Sequence, residues 1–302
     1  MAENSTVTLN FTKRPDNGFG MFATILAGRP AQAPDGSLDV HFSSQWLGAT
    51  VDGKSLSGYR KVVGLPEDGN LPMLYIHAMA MPLHMAMFTH KAFPLRLFGL
   101  LHFSNSIAAL RPIRDGEKMD LNARIDGIQP SPRGQMFTIL TDVSVGGEVV
   151  WRETSVYLSP LPPSARKKGD KPAGTHAEEP AWGEPVASWK LGADAGRRFA
   201  GPAGDPNPIH MSAITAKMFG FKRAIAHGMN SAARCLAILQ KEHPIEGPCV
   251  FEVRFKRPFF IPGAVALHTA ADGDATRFVL KVQPKGEPHI DGRLAPMAEW
   301  TA

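Results

Sequence analysis

Cysteine is almost absent from this chain. Its 302 residues include two, Cys235 and Cys249, which cannot build a disulfide framework, and no Cys/His spacing of a metal cluster is present. Long apolar runs are missing too. The longest candidates are interrupted by His, Arg or Pro, so none reaches the ~20 residues of a membrane-spanning helix. The N-terminal MAENSTVTLNFTKRPDNGFG is polar and lacks the apolar core of a secretory signal; a cytoplasmic location is the expectation. Charge of one sign is also scarce. Lys and Arg exceed Asp and Glu by a formal +5, and outside Arg166-Lys167-Lys168 the cations are scattered. Without a basic helix or basic–aromatic interleaving, nothing but that weak excess favours nucleic acid.

What is present describes a globular protein. Hydrophobic residues make up 43% and charged residues 20%, and the length allows two domains of ordinary size. Residues 1–70 read as strands and loops, with alternation in Val7-Thr8-Leu9-Asn10-Phe11. Leu71 to Phe103 is apolar, with Met73, Met79, Met81, Met85 and Met87. Pro82 is placed to open a helix at its first turn. Methionines at this density serve as adaptable core filling; whether they fill or line a cavity stays open. Strands follow over 101–110, 121–128, 136–145 and 148–158, the last two flanking Gly146-Gly147 as a hairpin. Residues 161–185 are rich in Pro, Gly and charge and read as a solvated linker. The expected organisation is therefore an N-terminal domain over 1–160 and a C-terminal domain over 186–302. In the second domain a strand over 186–191 precedes a short helix capped by Asp194, and further strands lie over 250–256, 265–271 and 277–283. Arg111-Pro112 with Gly116 and Arg257-Pro258 with Gly263 hint at an internal duplication.

The densest chemistry lies in FAGPAGDPNPIHMSAITAKMFGFKRAIAHGMNSAARCLAILQ, residues 199–240. Asp205 and His210 are separated by Pro206-Asn207-Pro208-Ile209. Two prolines so close exclude a helix interior and favour a stiff, non-helical turn. Such a turn holds a carboxylate and an imidazole at fixed separation, as acid/base work on one substrate requires. Beyond His227-Gly228-Met229 comes a run that is apolar almost all round and reads as a buried helix. Gly228 opens it, where free N–H groups and the helix dipole favour an anion. Cys235 on that helix behaves as a small apolar residue.

The sequence G-D-x-N-P-x-H, then A-x-x-F-G-F and A-H-G-M, resembles the MaoC-like (R)-specific enoyl-CoA hydratases, or hydratase 2. The close match covers 199–229 and a looser one extends to about 262. The resemblance implies an α+β double hot-dog fold, two copies of a long helix wrapped by a curved antiparallel sheet. It implies an Asp/His pair, here Asp205 and His210, that activates water for addition to an enoyl thioester. The Gly228 N–H would bind the thioester oxygen. Coenzyme A or acyl carrier protein would be part of the substrate, and no separate cofactor is expected. The G-D-x-N-P-x-H sequence occurs once, so the first copy is expected to help hold substrate without catalysing.

Each residue also has a plainer role. Asp205 can shape a turn, His210 can be a structural histidine, and Asn207 can close an Asx turn or orient the pair. His227 is placed to pack behind the site or touch ligand, and Met229 to form pocket wall. His77, His84, His90 and His102 have no partner motif and receive no chemistry. Arg254, Lys256 and Arg257 are candidates for coenzyme A phosphates, or solvated strand-end charges. Alternatives to the hydratase are a dehydratase of a branched dicarboxylic thioester (mesaconyl-type) and a non-catalytic acyl-thioester-binding module. Two copies in one chain are compatible with a monomer or a homodimer.

Overall fold

The computed structural model describes residues 5–15, 40–161 and 180–297. Strand β1 (Ser5–Phe11) runs parallel to β2 (Val40–Ala49) at one edge of the sheet. Helix α1 (Gly53–Val63) follows, where the sequence suggested only strands and loops. Its signals were local. The Asp52 carboxylate accepts from Ser55 N at 2.9 Å and Ser55 Oγ at 2.6 Å, and Gly64 ends the helix with φ 85°.

Helix α2 (Met73–Thr89) is 17 residues long and buried on nearly every side. Pro82 lies inside it rather than at its start. An interior proline costs about 3 kcal/mol, but burying Leu74, Ile76, Leu83, Met87 and Phe88 at about 1.5–3 kcal/mol each outweighs it. Strands β3 (Leu101–Ala109), β4 (Met119–Ser131), β5 (Gly134–Val145) and β6 (Glu148–Pro160) complete the first half. The β5–β6 hairpin turns at Gly146 and Gly147, with φ of 60° and 87°; two successive positive φ values are why two glycines stand there.

The second half comprises β7 (Ala187–Leu191), α3 (Ala195–Ala203), α4 (Pro208–Met211), α5 (Ala213–Met218), α6 (Gly228–Glu242), β8 (Cys249–Phe255), β9 (Gly263–Asp272), β10 (Ala275–Gln283) and β11 (Glu287–Pro296). Asp194 precedes α3 but makes no side-chain cap; its carboxylate lies 3.9 Å from Arg198. The expected linker falls mostly on residues 162–179, outside the described residues.

Among the described residues eleven strands form one sheet, in the order β1-β2-β4-β5-β6-β3-β8-β11-β10-β9-β7. Taking β2–β6 and β7–β11 each in chain order, both halves run first, third, fourth, fifth, second. Both insert their long helix, α2 or α6, between first and second strands. This repeated topology is a double hot-dog fold, and it makes visible the duplication hinted at by the two Arg-Pro pairs. The halves join where β3 pairs antiparallel with β8, Ser104 opposite Arg254 and Ala109 opposite Cys249. They also meet where α1 packs on α3: the Tyr59 and Phe199 rings are 5.7 Å apart.

Candidate active site

Between β7 and α6 the chain makes three short helices, and their connections build the site. Gly204 ends α3 with φ 66°, and the next residue, Asp205, donates its N–H back to Ala200 O at 3.0 Å. That leaves the Asp205 carboxylate at the helix end, 37% exposed. Contrary to the expectation of a wholly non-helical turn, the segment after the first proline becomes helical. Pro206 lies in the turn, but Pro208 occupies the first turn of α4, where its missing N–H costs no hydrogen bond. Asn207 caps α4, its Oδ1 accepting from Ile209 N at 3.3 Å. His210 rides on that single helical turn. Gly196 of α3 lies so close that a Cβ there would be 1.8 Å from His210 O.

His210 is buried, and its Nδ1–H donates to Ile225 O at 2.8 Å. The acceptor is itself fixed, since Ile225 N donates to Ile209 O at 3.1 Å and Ala226 N to Phe259 O at 2.8 Å. This sets the tautomer: Nε2 carries the lone pair. Burial, with neighbouring His227 adding to it, lowers the His210 pKa to about 3, so the ring is neutral at physiological pH. His227 is the residue before α6, and its Nε2–H donates to Asp205 O at 3.1 Å, with Asp205 Oδ2 at 3.7 Å. Burial lowers its pKa also, against the pull of Asp205. The His210 and His227 ring centroids are 3.7 Å apart.

Gly228 is the first residue of α6, so its N–H has no intrahelical acceptor. Space is tight there, because a Cβ on Gly228 would lie 2.5 Å from the Phe255 ring. A cavity of about 490 Å³ is lined by Asp205, Asn207, His210, His227, Gly228 and Met229. All six residues singled out from the sequence therefore border one space. Asp205, His210 and His227 also place one ligand atom each within 4.8 Å of one another, a cluster that linear spacing did not signal.

The cavity wall contains residues that sequence reasoning passed over. His77, His102 and Tyr157 of the first half line it, as do Met81 and Met85, whereas Met79 and Met87 are core. The methionine-rich helix thus both fills and lines. Lys256 and Arg257 border the cavity but pair with Asp291 at 2.9 Å and Glu287 at 3.0 Å; Arg133, which had no distinguishing sequence signal, borders it too.

Residues 181–292 match the model of the MaoC like domain. The chain is 30% identical over 240 residues to 3-hydroxyacyl-thioester dehydratase X of Mycobacterium tuberculosis, covering 80% of this chain and 84% of that protein. The crystal structure of HtdX from the same organism superposes with a TM-score of 0.73 at 28% identity, covering 84% of this chain and all of that one. A MaoC-like dehydratase of Phytophthora capsici has the same fold, with a TM-score of 0.65 at 17% identity over 86% of this chain and 96% of its own.

Proposed function

The chain belongs to the MaoC-like dehydratase family of hydro-lyases, and from that premise we propose that it interconverts trans-2-enoyl and (R)-3-hydroxyacyl thioesters by adding or removing water. The supporting observation is the meeting of Asp205, neutral His210 and the open N-terminus of α6 in one cavity. The (R) configuration is the family's.

Hydration needs a base for water, a proton for C2 and stabilisation of the thioester oxygen as it gains enolate character. With Nδ1–H held by Ile225 O, His210 Nε2 is the proton acceptor. Asp205 accepts the second hydrogen of the same water and holds its oxygen toward C3. The oxygen bonds to C3, the electron pair of the C2–C3 bond moves toward the carbonyl, and the Gly228 N–H donates to the carbonyl oxygen. His210 then returns the proton to C2. One water is consumed and no net proton is released. Dehydration is the reverse. His227 positions Asp205 through its backbone carbonyl. Met229 forms the wall beside Gly228, and Asn207 holds the turn between the acid/base residues. Lys256, Arg257 and Arg133 border the cavity and suit the phosphates of the thioester carrier, coenzyme A or an acyl carrier protein.

The test is loss of the conjugated-thioester absorbance with trans-2-enoyl-CoA substrates. Asp205→Asn and His210→Ala should each lower kcat by about 10² or more while folding normally by circular dichroism. Wild-type activity in either folded variant defeats this mechanism. Because the proposed chemistry uses no metal, the rate should survive dialysis against a chelator, although Asp205, His210 and His227 cluster closely.

A further inference from the structure

Cations that are scattered along the sequence are gathered by the fold around one opening. Leu101, Phe103, Arg133, Lys256, Arg257 and Pro258 each line the cavity and are also exposed, so the cavity reaches the surface among them. Four segments meet there, 96–103, 131–133, 213–223 and 256–260. The end of β6 ties the first two together, with Ser159 Oγ donating to Arg96 O at 2.8 Å and Leu161 N to Arg133 O at 2.9 Å. The Phe98 and Phe219 rings, stacked with centroids 5.5 Å apart, join the first to the third. Lys222 and Arg223 lie over the Phe260 ring at 4.9 Å and 5.7 Å and join the third to the fourth. These segments hold seven Lys or Arg and no Asp or Glu. Lys256 and Arg257 are paired with acids of β11. Arg96, Arg133, Lys217, Lys222 and Arg223 form no ion pair among the described residues.

Apolar side chains stand out of the same rim. Ile214 and Met218 of α5 are 78% and 61% exposed, the most exposed large hydrophobic residues among those described. Four residues apart, they share one face of the helix, and the next residue, Phe219, lines the cavity. The helix that carries them is pinned. Ser212 Oγ accepts from Thr215 N at 3.1 Å, and Thr215 Oγ1 donates to Pro208 O at 2.6 Å. Nothing in the reaction uses this face, and leaving it in water is unfavourable.

We infer that this face docks an acyl carrier protein, a small acidic protein whose thioester arm enters the cavity through the opening. The inference rests on the thioester reading above and selects the protein carrier over coenzyme A. The phosphates of coenzyme A call for cations alone. A protein partner also covers exposed apolar side chains, since its interface joins an apolar centre to a charged rim. Unpaired cations opposite an acidic surface add steering and fix orientation. A second copy of this chain is a poor occupant, because a two-fold contact sets the same patch against itself and brings like charges together.

The experiment presents one trans-2-enoyl group on an acyl carrier protein and on coenzyme A, and measures kcat and KM for each. In the wild type KM should be lower for the protein-borne thioester by about tenfold or more. Ile214→Ser with Met218→Ser should raise that KM by about tenfold or more while the coenzyme A kinetics stay within about twofold, which also shows that the variant folds. Lys222→Glu with Arg223→Glu should raise KM more for the protein-borne thioester than for coenzyme A. Equal KM for the two carriers in the wild type, or an unchanged protein-carrier KM in both variants, overturns the inference and leaves the hydratase reading intact. Two further results overturn it by assigning the face elsewhere, each without any effect on the protein carrier. One is a dimer, seen by sedimentation, that the Ile214→Ser, Met218→Ser variant dissociates. The other is wild-type binding to phosphatidylglycerol vesicles that this variant loses. Calorimetry with a saturated acyl group on the carrier protein reads docking without turnover. Binding there that the variants lose, with neither thioester hydrated, makes the reaction wrong and leaves the docking face standing.

Discussion

The two halves share one topology and use it in opposite ways. In the second half the connection before the long helix is expanded into α3, α4 and α5, and it delivers a part-exposed carboxylate and a neutral imidazole to the N-terminus of α6. In the first half the equivalent connection is only α1 and a loop, and α2 begins after Pro72 with no side-chain cap. Each long helix is tied by a polar pair to the last strand of its own half: Ser231 Oγ to His289 Nε2 at 3.0 Å, and His77 to Glu153. The framework is thus common, and the candidate acid/base residues lie on the segment inserted ahead of the helix. The first half, without that segment, supplies apolar helix and the rings of His77, His102 and Tyr157 to the cavity wall.

The sharpest way to break this contrast is the double variant. If Asp205 and His210 act on one water, Asp205→Asn with His210→Ala should be little worse in kcat than the more damaged single variant. Multiplicative losses would separate the two residues into independent steps. Next is Gly196→Ala, a residue that touches no substrate. Its Cβ would collide with the backbone of His210, so α3 and α4 must part. The expected result is about tenfold or more off kcat and about 1–3 kcal/mol off stability, read by denaturant titration. Wild-type kcat there would mean that the His210 position tolerates displacement.

Acid should strain both halves. Burial lowers the pKa values of His84 and His102 in the first half to about 4 and about 3, and those of His210 and His289 in the second to about 3 and about 4. Between about 6.5 and those values the unfolded chain binds protons that the folded chain refuses. Their stabilising contribution is complete above about 6.5 and is lost as pH falls toward about 3. Tm should therefore decline steadily on acidification through that window, and a level Tm would show these rings to be solvated. For the same reason kcat/KM should lack an acid limb near the usual imidazole value. The smallest effect is expected from Asn207→Ala, which removes one cap and should cost about 0.5–2 kcal/mol with kcat within about tenfold of wild type. A loss like that of Asp205→Asn would move Asn207 from the turn into the chemistry.

Much of the site was legible because its logic is local. Asp205, Asn207 and Pro208 form a cap-and-turn unit whose geometry follows from neighbouring residues, and Gly228 marks a helix start. Most strand positions followed from alternation and from glycine turns such as Gly146-Gly147. One misreading arose where burial overrode local preference, and another where local signals were passed over. Pro82 inside α2 breaks a helix rule that the surrounding core outweighs, and α1 was missed although its Asp52 and Gly64 end signals were present.

The chain's own sequence marked the candidate groups: a carboxylate, an imidazole and a helix-opening glycine, each held by short-range backbone constraints. Tertiary structure alone decided what surrounds them. The packing of His227 against His210, the choice of tautomer by Ile225 O, and the contacts of His77 with Glu153 and with His102 join residues that are not neighbours in the chain. No local pattern encodes such contacts. Each forms within one half, and the β3–β8 pairing then brings the two halves together around one cavity.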